Sequence, residues 1–222
     1  MGTGEKASIA IKVLAKEVLT SGEFCNTRRR LSHLLIMYGF ILFVATTAIM
    51  IFGYPTPATP TPAILPQLWH LGAIMLCVGG YWFWFFIRVD VSAEGNPWYR
   101  IERADIFILS LLTTATFGLI WSFVQSKGIA GWSTLFFVLF IVSNTTLFST
   151  VLWSKFAHMF FKPAAAFQKR VTRADGSREN LPPDYDLTDP KVQALFPDIP
   201  EYMGKKPAYM GHGIKRESAD HY

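Results

Sequence analysis

The sequence predicts an all-α integral membrane protein: a bundle of four transmembrane helices, with an amphipathic helix before it and an extended tail after it. Three observations carry that prediction. Of the 222 residues, 51% are hydrophobic and 15% aromatic, and mean hydropathy is positive, too apolar for an ordinary soluble domain of this size. The apolar residues are gathered in four blocks, 32–53, 69–89, 105–125 and 133–158, with charges only at the edges. Roughly twenty apolar residues at about 1.5 Å each cross a hydrocarbon core ~30 Å thick. A segment that crosses must satisfy its backbone internally, so each block is a helix. The third observation is how the charge is sorted. Arg28, Arg29 and Arg30 precede the first block, Arg88, Arg100 and Arg103 separate the second from the third, and Lys155, Lys162, Lys169 and Arg170 follow the fourth. The opposite side carries only Lys127, because the loop YPTPATPTPAILPQ has no charge. Positive loops stay inside, which predicts a multi-pass membrane protein with both termini cytoplasmic. The net charge of +5 thus reports topology and lipid headgroups rather than nucleic acid.

The elements follow in order. Residues 1–27 form a cytoplasmic N-terminal segment, in which EKASIAIKVLAKEVLTSG sets Ile11, Leu14 and Val18 on one stripe and ends at Gly22. Such a helix is too short and too charged to span, and lies on the membrane surface or against a partner. No compact apolar stretch with a small-residue cleavage site marks a signal peptide. The membrane domain covers 28–170. Within it, the proline-rich stretch 54–66 cannot continue a helix and reads as an extended external loop. Residues 171–222 form a cytoplasmic tail with a proline every several residues. That tail has no means of building its own core. Its Tyr185, Leu195, Phe196, Ile199, Tyr202, Tyr209 and Met210 suit a strap laid over a partner, and a solvated tail is the alternative.

Two cysteines, Cys25 and Cys77, stand on different segments. An iron–sulfur cluster needs four ligands, so this chain holds none alone. A cytoplasmic Cys25 also argues against a disulfide.

Ionisable groups near or within spanning segments mark functional candidates. Helix one runs outward and helix four returns, so His33 and His158 stand at one depth on the cytoplasmic side. Two neutral imidazoles so placed can supply both axial ligands of a haem, and helix bundles are where such sites are built. Arg29, Arg30, Lys155 and Lys162 lie close in sequence and suit the haem propionates. Snorkelling or a hydrogen bond to a neighbouring helix is the alternative for both histidines. Gly39 fits close approach of a macrocycle or of another helix. His70 lies at the outer end of helix two beside Trp69, with no second histidine at its depth, and reads as a structural hydrogen bond. Asn144, Thr145 and Thr146 read as interhelical hydrogen bonding. No C-x-x-C-H occurs, so a covalently attached haem is excluded.

The stretches RRLSHLLIMYGF, ADIFILSLLTTATFGLI and SKFAHMFFKPAAAF resemble segments of the cytochrome b subunits typified by the respiratory nitrate reductase gamma subunit. They are more similar still to the membrane domain of the quinone-interacting membrane-bound oxidoreductase of sulfate reducers. The resemblance covers roughly residues 28 to 170. It implies haem ligation by a histidine opening one helix and another near the end of the last, which fall on His33 and His158. The family's second pair falls on Phe43 and Phe140, which cannot ligate iron, so the resemblance implies one haem b, not two. A short four-helix version without an iron–sulfur domain looks like the membrane anchor that accompanies dissimilatory adenylylsulfate reductase in sulfur oxidisers. The function so implied is an electron-transfer subunit linking a soluble cytoplasmic flavin and iron–sulfur oxidoreductase to the quinone pool. The protons of quinone reduction would come through Asp105, Glu102 or Tyr38, although Asp105 is equally good as a helix-capping acid. A cofactor-free structural anchor is the alternative.

Overall fold

The computed structural model describes residues 1–22, 24, 26–56, 58–90, 95–179, 181 and 189–195, with the side chains of Lys155, His158, Val192 and Gln193 outside that set. Among the described residues every regular element is helical. Two compact units are present. One comprises Leu31–Asp90 and Asn96–Met159, and the other Met1–Arg30, Val91–Gly95 and the chain from Phe160 onward.

The first unit is the membrane bundle. Its helices are α2 (Thr27–Gly53), α3 (Ile64–Trp82, continued by a wider turn to Ile87), α4 (Ile106–Ser126, entered through a tight turn at Arg103–Asp105) and α5 (Ala130–Ser149). The four spanning stretches are 27, 24, 24 and 20 residues long, so even the shortest reaches about 30 Å. Only 17% of the apolar window of α2 is buried within the protein. Side chains such as Ile41, Ile49, Phe86, Phe123 and Val142 point outward, as lipid-facing surface requires. Helix α3 begins five residues before the apolar block at 69 and takes in the end of the proline-rich stretch, with Pro66 in its first turn, where a missing N–H breaks no intrahelical bond.

Small residues set the packing. A Cβ on Gly39 would stand 2.9 Å from the Gly72 carbonyl oxygen, and one on Gly79 would stand 2.9 Å from that of Ser32. The backbones of α2 and α3 therefore touch, as small residues allow between membrane helices. Ser32 Oγ donates to the Gly79 carbonyl at 2.9 Å across the same seam. Gly39 thus serves helix packing. Farther along, Gly80 lies against Leu112 of α4, and Gly118 against Trp69 and Phe140. The core runs through Phe43, Trp69, Ala73, Leu76, Leu111, Ala115, Phe140 and Leu147.

The fourth spanning helix does not reach residue 158. It ends at Ser149, and two tight turns, Val151–Trp153 and Lys155–Ala157, lead to a separate helix, α6 (His158–Ala174). Local hydroxyls account for the break. Thr150 Oγ1 donates to the Thr146 carbonyl at 2.7 Å, and Ser154, in extended conformation, accepts the Phe156 N–H at 3.3 Å. Serine and threonine so placed compete with the helical ladder and start a new one.

The second unit holds α1 (Thr3–Val13, continued by a wider turn to Leu19), most of α6, and α7 (Pro190–Leu195). Its first helix starts with Glu5 accepting the Gly2 N–H at 2.7 Å. It closes where Gly22 N–H bonds back to the Lys16 carbonyl at 2.9 Å. Val13 is buried, whereas Ile11 and Leu14 of the expected stripe are exposed. Arg170 of α6 pairs with Glu17, its Nε at 2.9 Å from Oε1. Helix α6 is amphipathic and carries Pro163 in its second turn. In the tail, Asp189 caps α7 by accepting the Lys191 N–H at 2.9 Å. Tyr185, Phe196, Ile199, Tyr202, Tyr209 and Met210 lie outside the described residues, as does Cys25.

Candidate functional site

His33 stands two turns into α2, half-buried, next to Ser32, whose hydroxyl is fixed on α3. Seven residues on, Phe40 shares its face, since seven residues nearly complete two turns. The Phe40 ring meets Phe156 edge-on at 5.6 Å and Phe148 at 6.4 Å. Phe156 in turn stacks on Phe107 at 5.2 Å and meets Phe148 at 5.9 Å. The His33 face of α2 is thereby tied to the turn Lys155–Ala157, and the next residue is His158. The backbone of His158 opens α6, while its imidazole, and the side chain of Lys155, lie outside the described residues.

Three of the four expected propionate contacts, Arg29, Arg30 and Lys162, have partners of their own. Arg29 and Lys162 both approach the ring of Phe24, at 5.5 and 5.4 Å. Arg30 Nε donates to the Thr20 carbonyl at 2.8 Å. Three of the cations are therefore arranged around the segment that follows the wider turn at Leu14–Leu19.

Phe43 and Phe140 occupy the core with Trp69. Their rings lie 6.3 Å apart, and Trp69 stands 4.9 Å from Phe43 and 6.4 Å from Phe140. Trp69 Nε1 donates to Thr47 Oγ1 at 3.0 Å, which satisfies its one polar atom. His70 bridges two helices, as expected of a structural imidazole. Its Nδ1–H donates to the Pro66 carbonyl at 2.6 Å, and Nε2 accepts from Ser122 Oγ at 2.8 Å.

Of the expected interhelical cluster Asn144, Thr145 and Thr146, Thr146 bonds within its own helix, and so does neighbouring Ser143. Thr146 donates to the Val142 carbonyl at 2.9 Å, and Ser143 to the Leu139 and Phe140 carbonyls at 2.9 and 3.0 Å. These bonds stay within their own helix, where a hydroxyl can reach the carbonyl one turn back. Ser143 and Thr146 also line an open groove of about 260 Å³ with Ile106, Leu109, Ser110 and Thr113.

The proton-carrying candidates are engaged in structure. Asp105 accepts the Glu102 N–H at 2.8 Å, a capping role the sequence suggested. It also forms a buried ion pair with Arg88 at 2.5 Å, which sequence reasoning missed. The signal was available: opposite charges stand at the end of one helix and the start of the next, on the same side. Glu102 pairs with Arg100 at 3.3 Å in solvent. Tyr38 is exposed on α2.

No protein-family model, no curated protein and no solved structure matches the chain. Among the described residues, no group of three or more His, Cys, Asp or Glu side chains is placed to hold a metal ion. A bis-histidine haem asks for two ligands, not three.

Proposed function

We propose that this chain is the membrane anchor and electron-transfer subunit of an oxidoreductase, carrying one haem b between His33 and His158. One observation carries the reading. The α2 face that bears His33 is joined, through Phe40 and Phe156, to the turn that delivers His158. The residue types fit the group, since His33 on α2 and His158 at the start of α6 belong to separate helices. A bound haem supplies one-electron chemistry between a soluble donor and a quinone. The protein's share is positional. Ser32, pinned to Gly79, fixes the rotation of α2 and with it the direction in which His33 points. The buried Phe156, with Phe40, Phe107 and Phe148, keeps the neighbouring layer dry and of low dielectric. The packing of Phe43, Phe140 and Trp69 supports a single haem, because their rings fill the positions a second pair would need.

On this reading the partner is a cytoplasmic flavin and iron–sulfur enzyme, with adenylylsulfate reductase the foremost candidate. Both termini face the cytoplasm of a bacterial cell, as the basic loops direct. The tail beyond 174 straps onto that enzyme.

A cofactor-free anchor is the second reading. The aromatic cluster of Phe40, Phe107, Phe148 and Phe156 favours it, because rings that pack on one another leave less room for a porphyrin.

The test is ligand replacement. His33→Ala and His158→Ala should each insert normally and lose the haem, and His70→Ala should keep it. Haem content unchanged in both ligand variants would overturn the assignment.

A further inference from the structure

Arg88 follows the last turn of α3 and is fully buried. Its guanidinium lies 4.3 Å from the centre of the Trp84 ring. It donates to both oxygens of Asp105, at 3.3 and 2.5 Å. The remaining bonds go to backbone carbonyls of the following loop: Asn96 at 3.3 Å, Pro97 at 2.8 Å and Arg100 at 2.6 Å. The loop's polar backbone is therefore turned inward. Its side chains are turned outward, with Trp98 58%, Tyr99 70% and Ile101 66% exposed. The Trp98 and Tyr99 rings brace each other at 5.7 Å, nearly perpendicular.

We propose that the loop 96–103 is an interfacial membrane anchor. Trp98, Tyr99 and Ile101 enter the boundary between headgroups and acyl chains, and Arg100 and Arg103 meet acidic phospholipid headgroups. Four features point to lipid. A loop in water needs no protein donor for its carbonyls, whereas one dipped into an apolar boundary needs a partner for each. Arg88 supplies three such partners from one side chain. Next, large apolar side chains face outward on the helix end that Arg88 follows, where Phe85 and Phe86 are exposed. That spanning stretch has 24 residues, about 36 Å of helix against a core of ~30 Å, so its end stands at the interface. The residue types agree, since tryptophan and tyrosine gather at headgroup level. Lastly, the loop's two arginines outnumber its one acid, Glu102, which complements an anionic leaflet. The anchor fixes the depth of α3 and α4 together, because Asp105 opens α4 and holds the same guanidinium.

The experiment uses the full chain with Cys25→Ser and Cys77→Ser, reconstituted in nanodiscs of phosphatidylcholine and phosphatidylglycerol. A spin label goes on Tyr99→Cys, and a reference label on Ala58→Cys in the opposite loop. Collisions with oxygen, which concentrates in lipid, are compared with those of a water-soluble nickel chelate. At position 99 the chelate should reach the label several-fold less often than at 58, and oxygen more often. Leaving out phosphatidylglycerol should raise access to the chelate. Arg88→Gln should move the label into water, and if that variant fails to fold, Trp98→Ser at an exposed position gives the same readout. Equal access at 99 and 58 would overturn the proposal, as would protection that arises only when a soluble protein is added. Indifference to phosphatidylglycerol would overturn the acidic-lipid contact.

Discussion

Asp105 supplies the counter-charge of a guanidinium that has no access to water, so its removal should be among the most damaging single changes. Asp105→Ala leaves Arg88 buried and unpaired, a situation that costs about 3–5 kcal/mol, and unfolding in mixed micelles should show that loss. Asp105→Asn keeps one acceptor oxygen toward Arg88 and should lose somewhat less. Alanine and asparagine variants of equal, wild-type stability would mean that the loop stands without its clamp. Gly72 makes the complementary case for packing. A Cβ there would meet the Phe43 backbone nitrogen at 2.8 Å, so Gly72→Leu should part α2 from α3 and cost at least the ~1–3 kcal/mol typical of overpacking. His70 and Ser122 form one bridge, and a double-mutant cycle between them should give a coupling of about 0.6–2 kcal/mol. Zero coupling would remove the bridge from the account. At this scale the sequence was partly legible. Trp69 and His70 announced an interfacial hydrogen bond because no second histidine shared their depth. The Arg88–Asp105 pair was legible only from topology, as opposite charges at the end of one helix and the start of the next on the same side, because charges 17 positions apart meet through the tertiary fold.

At the scale of elements, hydrophobic length made the helices legible, while their ends depended on short-range chemistry. A threonine and serine run after residue 143 reads as apolar enough to continue. In the structure its hydroxyls take up backbone groups, and the helix stops at Ser149. His158 accordingly opens α6 rather than closing α5. That placement makes α6 the link between the membrane bundle and the tail. Deleting residues 175–222 leaves α6 whole. On the proposed function, the truncated chain should lose the soluble enzyme on co-purification and keep its visible spectrum. Retention of the enzyme would place the docking surface elsewhere than the tail.

For the whole molecule, the four-helix architecture was written in the sequence because a membrane imposes one requirement, length of apolar helix, that local composition reveals. The cofactor is a different kind of claim. It depends on two side chains meeting across helices, which periodicity cannot express. The fold contributes the link from the His33 face of α2 through Phe40 to Phe156. The most direct test of the central claim is a reduced-minus-oxidised visible spectrum of the purified protein, with haem quantified as its pyridine complex. One b-type haem per chain, lost in His33→Ala, is the predicted result. A colourless protein, purified from cells that load other b-type cytochromes, would contradict the account and leave the chain a structural anchor.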